Sequence, residues 1–243
     1  MDFSAEEIEQ YQRHLSLPGF GPEAQGKLKE AAVLVVGAGG LGCPALQYLA
    51  AAGVGTISVV DDDIVSLSNL QRQILYSESD IGAAKVDAAG AAVARLNPDV
   101  IFHGHKQRID RATSLDILSS VNVVIDGCDN FATRLIVNDL CLAAKVPLVS
   151  AAIGQFHGQI GTFTGWQADA PCYACVFPPT QSFEEERCAT MGVLAPLVGV
   201  IGSMQATEAL KLLSGIGSSL QGKLMMFNAQ HMEWQTMSTA RNL

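Results

Sequence analysis

The chain has 243 residues, 49% of them apolar, and a net charge of −9. That length holds one large α/β domain or two small ones with an ample buried core, and the acidic balance argues against nucleic acid or an anionic membrane as partner. No basic segment followed by an apolar core opens the chain, so no secretory signal is expected; six unevenly spaced cysteines do not read as a disulfide framework, and the expected setting is a reducing cytoplasm.

In chain order, Ser4 and Glu7 form a capping-box pattern, which predicts a helix over residues 5–13. Pro18, Gly19, Gly21 and Pro22 read as a linker, followed by a short helix over 23–30. Residues 1–30 are thus an N-terminal helical leader. Residues 33–36 are a buried-strand pattern, 37–42 a glycine turn, 43–52 an alanine- and leucine-rich helix, and 57–60 a second strand closing on Asp61. A helix over 85–96 is stopped by Asn97-Pro98. Strands over 100–105, 121–125 and 147–151 alternate with helices over 114–119 and 131–144. This alternation predicts an α/β fold with a doubly wound, mostly parallel Rossmann-like sheet. Ligands in such sheets sit beyond the carboxyl ends of the strands.

The pattern changes after residue 152. Residues 158–164 read as a strand with no helix before it, so antiparallel strands are expected to continue the sheet. Residues 170–191, with Pro171, Pro178, Pro179 and three consecutive glutamates, form an irregular loop. A helix over 193–213 and strands over 224–228 and 233–237 finish the chain. Residues 188–207 carry no charge, close to the ~20 residues that span a bilayer. The run contains Pro196, Gly202 and Gln205 and continues into Glu208 and Lys211, so it reads as a buried helix and no membrane span is expected.

The loop Gly37-Ala38-Gly39-Gly40-Leu41-Gly42 between strand and helix is a nucleotide-binding fingerprint. Its helix N-terminus offers N–H groups and partial positive charge to an anion. An NAD(P)-dependent oxidoreductase would show the same glycines and the same acid at the end of the second strand. The residues past that strand separate the two. Asp61-Asp62-Asp63 leads into Ser68-Asn69-Leu70-Gln71-Arg72-Gln73, with Lys85 beyond. A nicotinamide site has no use for this mixture; a site holding a triphosphate and a metal does. Taken singly, Arg72 and Lys85 read equally well as surface charges, Asn69 as a turn residue and Asp129 as a helix cap.

These landmarks, with Tyr11 to Arg13, Asp126 to Asn130, Cys172-x-x-Cys175, Cys188 and residues 199–205, resemble the ThiF/MoeB/HesA family, bacterial relatives of ubiquitin-activating enzymes. The likeness runs from about residue 6 to 235. It implies ATP-dependent adenylylation of the C-terminal glycine of a ubiquitin-like sulfur-carrier protein ending in Gly-Gly, of MoaD or ThiS type, with Mg2+ and usually as a homodimer. Sulfur would then come from a donor such as a cysteine desulfurase or a rhodanese, in molybdopterin or thiamine biosynthesis. On this likeness the chain is one adenylation domain. Residues 31–152 are its nucleotide-binding half and 153–243 its carrier-binding and dimer half. The likeness places Gly37, Gly39, Gly40, Leu41, Gly42, Asp63 and Asn130 against the nucleotide and Asp61 on the ribose. Asn69, Arg72 and Lys85 fall on the phosphates and Asp129 on the magnesium, while Arg13 reaches the γ-phosphate from the partner subunit. His14 stands where the family often has Gln, and this neighbour of Arg13 is expected to be tolerant. A catalytically degenerate carrier-binding protein is the non-enzymatic alternative.

Cys172 and Cys175 have zinc-ligand spacing, but a tetrahedral structural site needs four ligands. The family supplies the other pair as a second Cys-x-x-Cys, which these 243 residues do not contain. The alternative is two free thiols on a loop. Cys188, beside Arg187, is a candidate for the sulfur-transfer step, with a bystander thiol as the alternative. Cys43 and Cys141 are expected to be packing residues, and Cys128 to fill a tight turn.

Overall fold

The computed structural model describes residues 2–111, 115–179 and 192–241. Eight strands form one sheet in the order β3-β2-β1-β4-β5-β6-β7-β8. They are β1 (Ala32–Val36), β2 (Thr56–Val60), β3 (Ile101–His105), β4 (Val123–Asp126), β5 (Leu148–Gly154), β6 (His157–Phe163), β7 (Lys223–Asn228) and β8 (Glu233–Ser238). The first five are parallel and the last three antiparallel. The chain winds outward from β1 to β3, then returns to β4 on the other side. The crevice between β1 and β4 is therefore the topological switch point, where ligands of open α/β sheets bind.

Alternation along β1 explains the two cores. Val33 and Val35 face one layer and Leu34 and Val36 the other. The first layer holds α4 (Gly42–Ala51), α5 (Lys85–Leu96) and α9 (Ala195–Ser214); the second holds α6 (Leu115–Leu118), α7 (Phe131–Ala144) and α8 (Tyr173–Val176). No described helix is long and apolar enough to cross a membrane. α9 ends in the left-handed Gly215 (φ 78°), the usual device for stopping a helix.

The leader departs from the single predicted helix. The expected capping box at Ser4 and Glu7 forms. The helix then breaks at Tyr11 (φ −96°, ψ 11°), giving α1 (Ala5–Gln10) and α2 (Gln12–Leu15). Tyr11 leaves the helical line because its ring packs against Gly53 and its hydroxyl accepts from Asn97 Nδ2 at 2.8 Å. α3 (Gly21–Glu30) starts two residues earlier than expected, with Pro22 in its first turn, where its missing N–H costs nothing. β6 follows β5 across a two-residue turn with Gln155 at φ 51°, and α8 lies inside the loop predicted to be irregular.

Candidate active site

The glycine loop leaves β1 at the switch point. Gly37 has φ +92°, and a Cβ there would lie 2.9 Å from the Gly127 carbonyl oxygen. A Cβ on Gly42 would lie 2.0 Å from the Gly37 carbonyl oxygen, so only glycine lets α4 start this close to the strand. Gly39 differs. Among the described residues a Cβ there would meet nothing nearer than Gln73 Nε2 at 3.8 Å, so they leave that space open. Gly37 N donates to the Val60 carbonyl at 2.9 Å, and Ala38 N to Asp61 Oδ2 at 2.7 Å. The next four N–H groups, from Gly39 to Gly42, donate to no group among the described residues. A row of unpaired N–H groups at a helix N-terminus matches the donor set a polyphosphate needs.

Acids and cations gather beside this row. Asp61 Oδ1 also accepts from Asp63 N at 2.8 Å. Lys85 opens α5 and reaches Asp63 Oδ2 at 2.8 Å; its side chain is 6% exposed against 65% for Asp63. Burial thus aims the ammonium at the rim. Asn69 ends a 3-10 turn over Leu67–Asn69, its Oδ1 accepting from Ser66 N, so the turn role anticipated for it is real. Arg72 Nη1 donates to the Ser68 carbonyl at 3.1 Å. Gln73 is buried, with its Oε1 unpartnered among the described residues. Arg108, which the sequence did not single out, pairs with Asp62 at 2.8 Å.

At β4 the chain forms Asp126-Gly127-Cys128-Asp129-Asn130. Asp126 is fully buried. Its Oδ1 accepts from Cys128 N at 2.9 Å, and its Oδ2 from Ser150 Oγ at 2.6 Å and from Arg134 at 3.4 Å. Arg134 also donates to the carbonyls of Cys128 and Ala151. Gln205 Nε2, from α9, donates to the Asp126 carbonyl at 2.7 Å. Asp126 is therefore the structural carboxylate of this turn, and Arg134 and Gln205 are supports that sequence reasoning missed. Asp129 is exposed. It does not cap α7: Asn130 Oδ1 does so by accepting from Thr133 N at 2.9 Å, while Asn130 Nδ2 lies 3.3 Å from Asp129 Oδ1. Among the described residues the one group of three or more metal-ligating side chains is Asp61, Asp62 and Asp63. Asp129 stands outside it.

Arg13 lies elsewhere. The Tyr11 ring packs on Gly53, and Asn97 joins the Tyr11 hydroxyl to the Ala50 carbonyl. Gln25 Nε2 donates to the Ala52 carbonyl at 2.8 Å, which turns Gln25 Oε1 toward His14 Nδ1 at 3.0 Å. That ring nitrogen therefore carries the proton, and His14 is tied to α3. All these ties hold α2 to the C-terminal end of α4. The glycine loop is at the other end, about 15 Å away at 1.5 Å per residue. Arg13 is exposed and, among the described residues, makes no hydrogen bond or ion pair.

The cysteines divide as expected. Cys43, Cys128 and Cys141 are buried. Burial pushes the Cys43 thiol up to about 12 and raises those of Cys128 and Cys141. Cys172 and Cys175 are half-buried with their sulfurs 3.3 Å apart; burial, then the neighbouring thiol, raises Cys172. No third ligand joins them among the described residues, so the pair does not by itself fit zinc. Cys188 lies outside the described residues.

The ThiF family's sequence profile matches residues 11–242. The chain is 44% identical over 243 residues to the SAMP-activating enzyme E1 of Haloferax volcanii, covering 100% of this chain and 89% of that one. It is 44% identical over 246 residues to the sulfur carrier protein adenylyltransferase of Thermus thermophilus, covering 100% and 91%. Identity to the molybdopterin-synthase adenylyltransferase of Escherichia coli is also 44%, over 99% and 96% of the two chains. A crystal structure of E. coli MccB with ATP shares the fold, with a TM-score of 0.83 at 22% identity over 96% of this chain and 72% of that one. The chain belongs to the ThiF family.

Proposed function

We propose that this protein adenylylates the C-terminal glycine of a ubiquitin-like sulfur-carrier protein, using ATP. The observation that carries the reading is the row of four N–H groups, unpaired among the described residues, beside the buried Lys85 at the switch point. The reading is supported by relatives 44% identical over nearly their whole length that are named sulfur carrier protein adenylyltransferase and molybdopterin-synthase adenylyltransferase.

The chemistry asks for what the rim supplies. A peptide C-terminal carboxylate has a pKa of about 3.5 and is ionised at neutral pH, so no general base is required. Its oxygen bonds to the α-phosphorus, the bond to the bridging oxygen of the β-phosphate breaks, and pyrophosphate leaves with that electron pair. The barrier is an anion approaching a polyanion, so catalysis is positioning and charge neutralisation. In this reading the N–H groups from Gly39 to Gly42, with Asn69, Arg72 and Lys85, hold the phosphates, and Asp61 takes the ribose. Asp129 would hold magnesium, which offsets charge on the leaving pyrophosphate. The carrier's tail would reach the rim over the antiparallel half of the sheet. A hollow of about 480 Å³ there is lined by Ile153, His157, Gln159, Met226 and Gln235.

Arg13 cannot serve its own chain's loop from the far end of α4. In a homodimer it would serve the partner's. MoaD-type and ThiS-type carriers share this chemistry. The test is ATP–pyrophosphate exchange with each small Gly-Gly-ending protein of the source organism. Exchange dependent on one carrier establishes the reaction and names the carrier; ATP binding without exchange for any carrier overturns it.

A further inference from the structure

We infer that Tyr76 is the positioning residue of the phosphate loop: its buried hydroxyl fixes the Ala38–Gly39 peptide so that the Gly39 N–H faces the nucleotide. The inference rests on the nucleotide reading of that loop and adds a residue that no part of that reading uses. Tyr76 lies 38 residues beyond Ala38 and is buried. Its hydroxyl donates to the Ala38 carbonyl at 2.8 Å. The thiol of Cys43 approaches the same oxygen at 3.6 Å. On the other side of this residue, Ala38 N donates to Asp61 Oδ2. Ala38 is thus held at both ends, by a carboxylate on its N–H and by a phenol on its carbonyl.

Peptide geometry supplies the consequence. In a planar trans peptide the carbonyl and the following N–H point in opposite directions. Drawing the Ala38 carbonyl down toward the buried Tyr76 and Cys43 sends the Gly39 N–H the opposite way, out of the core. That N–H has no partner among the described residues. A loop whose peptides already face the anion need not reorganise when it binds, which is where such donors draw their strength. The hydroxyl also lies 3.4 Å from the carbonyl of Lys85. One phenol therefore sits between the loop and the first turn of α5, which carries the proposed phosphate lysine. Burial raises the Tyr76 phenol far above its ordinary range, so it stays a donor across the working pH range.

The experiment is Tyr76→Phe in the full chain, which keeps the ring and removes the hydroxyl. MgATP binding is measured by calorimetry, the melting temperature is measured without ATP, and the KM values for ATP and for the carrier are compared. The expected result is an ATP Kd weakened about five- to tenfold, the scale of one neutral hydrogen bond. The KM for ATP should rise while the carrier's KM holds, which general loosening of the fold would not produce. Unchanged ATP affinity in a folded Tyr76→Phe protein overturns the inference alone. No ATP binding by the wild type overturns the nucleotide reading and this inference with it. If Tyr76→Phe does not fold, the Gly39 amide of the wild-type protein is followed by NMR as MgATP is added. It should shift as the site fills, and a Gly39 amide that does not move while ATP binds overturns the inference.

Discussion

Replacing Arg134 by methionine removes one guanidinium and, at once, its ties to Asp126, to two carbonyls and to the Tyr173 phenol. Asp126, fully buried, loses its only cation among the described residues; the carbonyls of Cys128 and Ala151 lose a donor. Ser150 and the Cys128 N–H remain on the carboxylate, but they do not cancel its charge. Breaking a buried ion pair by deleting one partner costs about 3–5 kcal/mol. For a chain of this size each kcal/mol shifts the melting temperature by about 2–4 °C, so a fall of about 6–20 °C is expected. The assay is urea unfolding of four proteins: wild type, Arg134→Met, Asp126→Asn and the double variant. Once the charge is gone the arginine has less to neutralise, so the double variant should be more stable than the sum of the single losses by at least about 1 kcal/mol. Strict additivity, or a single-variant cost under about 1 kcal/mol, would refute the account of this turn as an electrostatically closed unit.

Lys85→Met should weaken MgATP about 10- to 100-fold, the scale of a hydrogen bond to a charged group; unchanged affinity in calorimetry removes Lys85 from the phosphate site. Arg13→Ala mixed with Lys85→Met should regain about a quarter of wild-type exchange activity, since half the dimers are mixed and each has one complete site. Absence of rescue counts against a shared site. Asp129→Ala should cut carrier-dependent exchange at least about a hundredfold with the melting temperature held, because this carboxylate is exposed and caps no helix; full activity removes the metal assignment. At pH 8 the thiols of Cys43, Cys128 and Cys141, raised by burial, stay protonated and unreactive. Peptide-level mass spectrometry should find them unalkylated until the protein is unfolded, while Cys172 and Cys175 label in the folded state; native labelling of Cys43 would contradict its packing under the loop.

The parts of this molecule that a sequence discloses are those governed by local rules. Gly37 and Gly42 announce a turn with no room for a side chain, and the apolar runs closing on Asp61 and Asp126 announce parallel strands. The capping box at Ser4 and Glu7 is equally local, and it forms as read. What stayed hidden depends on partners far along the chain. Arg134 sits among apolar residues of α7 and looks like a solvent-facing charge; only the return of β5 puts Ala151 and Ser150 beside it. The helix break at Tyr11 is invisible without Asn97, 86 residues away. The tie between His14 and Gln25 is hidden for the same reason, since Gln25 belongs to another helix. Asp129 and Asn130 are adjacent acceptors before one helix, and which of them caps it is a matter of backbone direction that composition does not carry.

The reach of α9 into the rim bears on the order in which the molecule is made. Gln205 grips the carbonyl of Asp126 across 79 positions, and the Val198 side chain lies 3.2 Å from where a Cβ on Gly40 would be. A ribosome releases the glycine loop and all five parallel strands long before either residue emerges. During that interval the nascent sheet lacks one wall of its ligand crevice and exposes the apolar face that α9 will cover. A nascent chain arrested with β5 released and α9 still to emerge should therefore be poor at retaining nucleotide and attractive to chaperones. Competence would arrive in one step, when the last long helix closes over the loop.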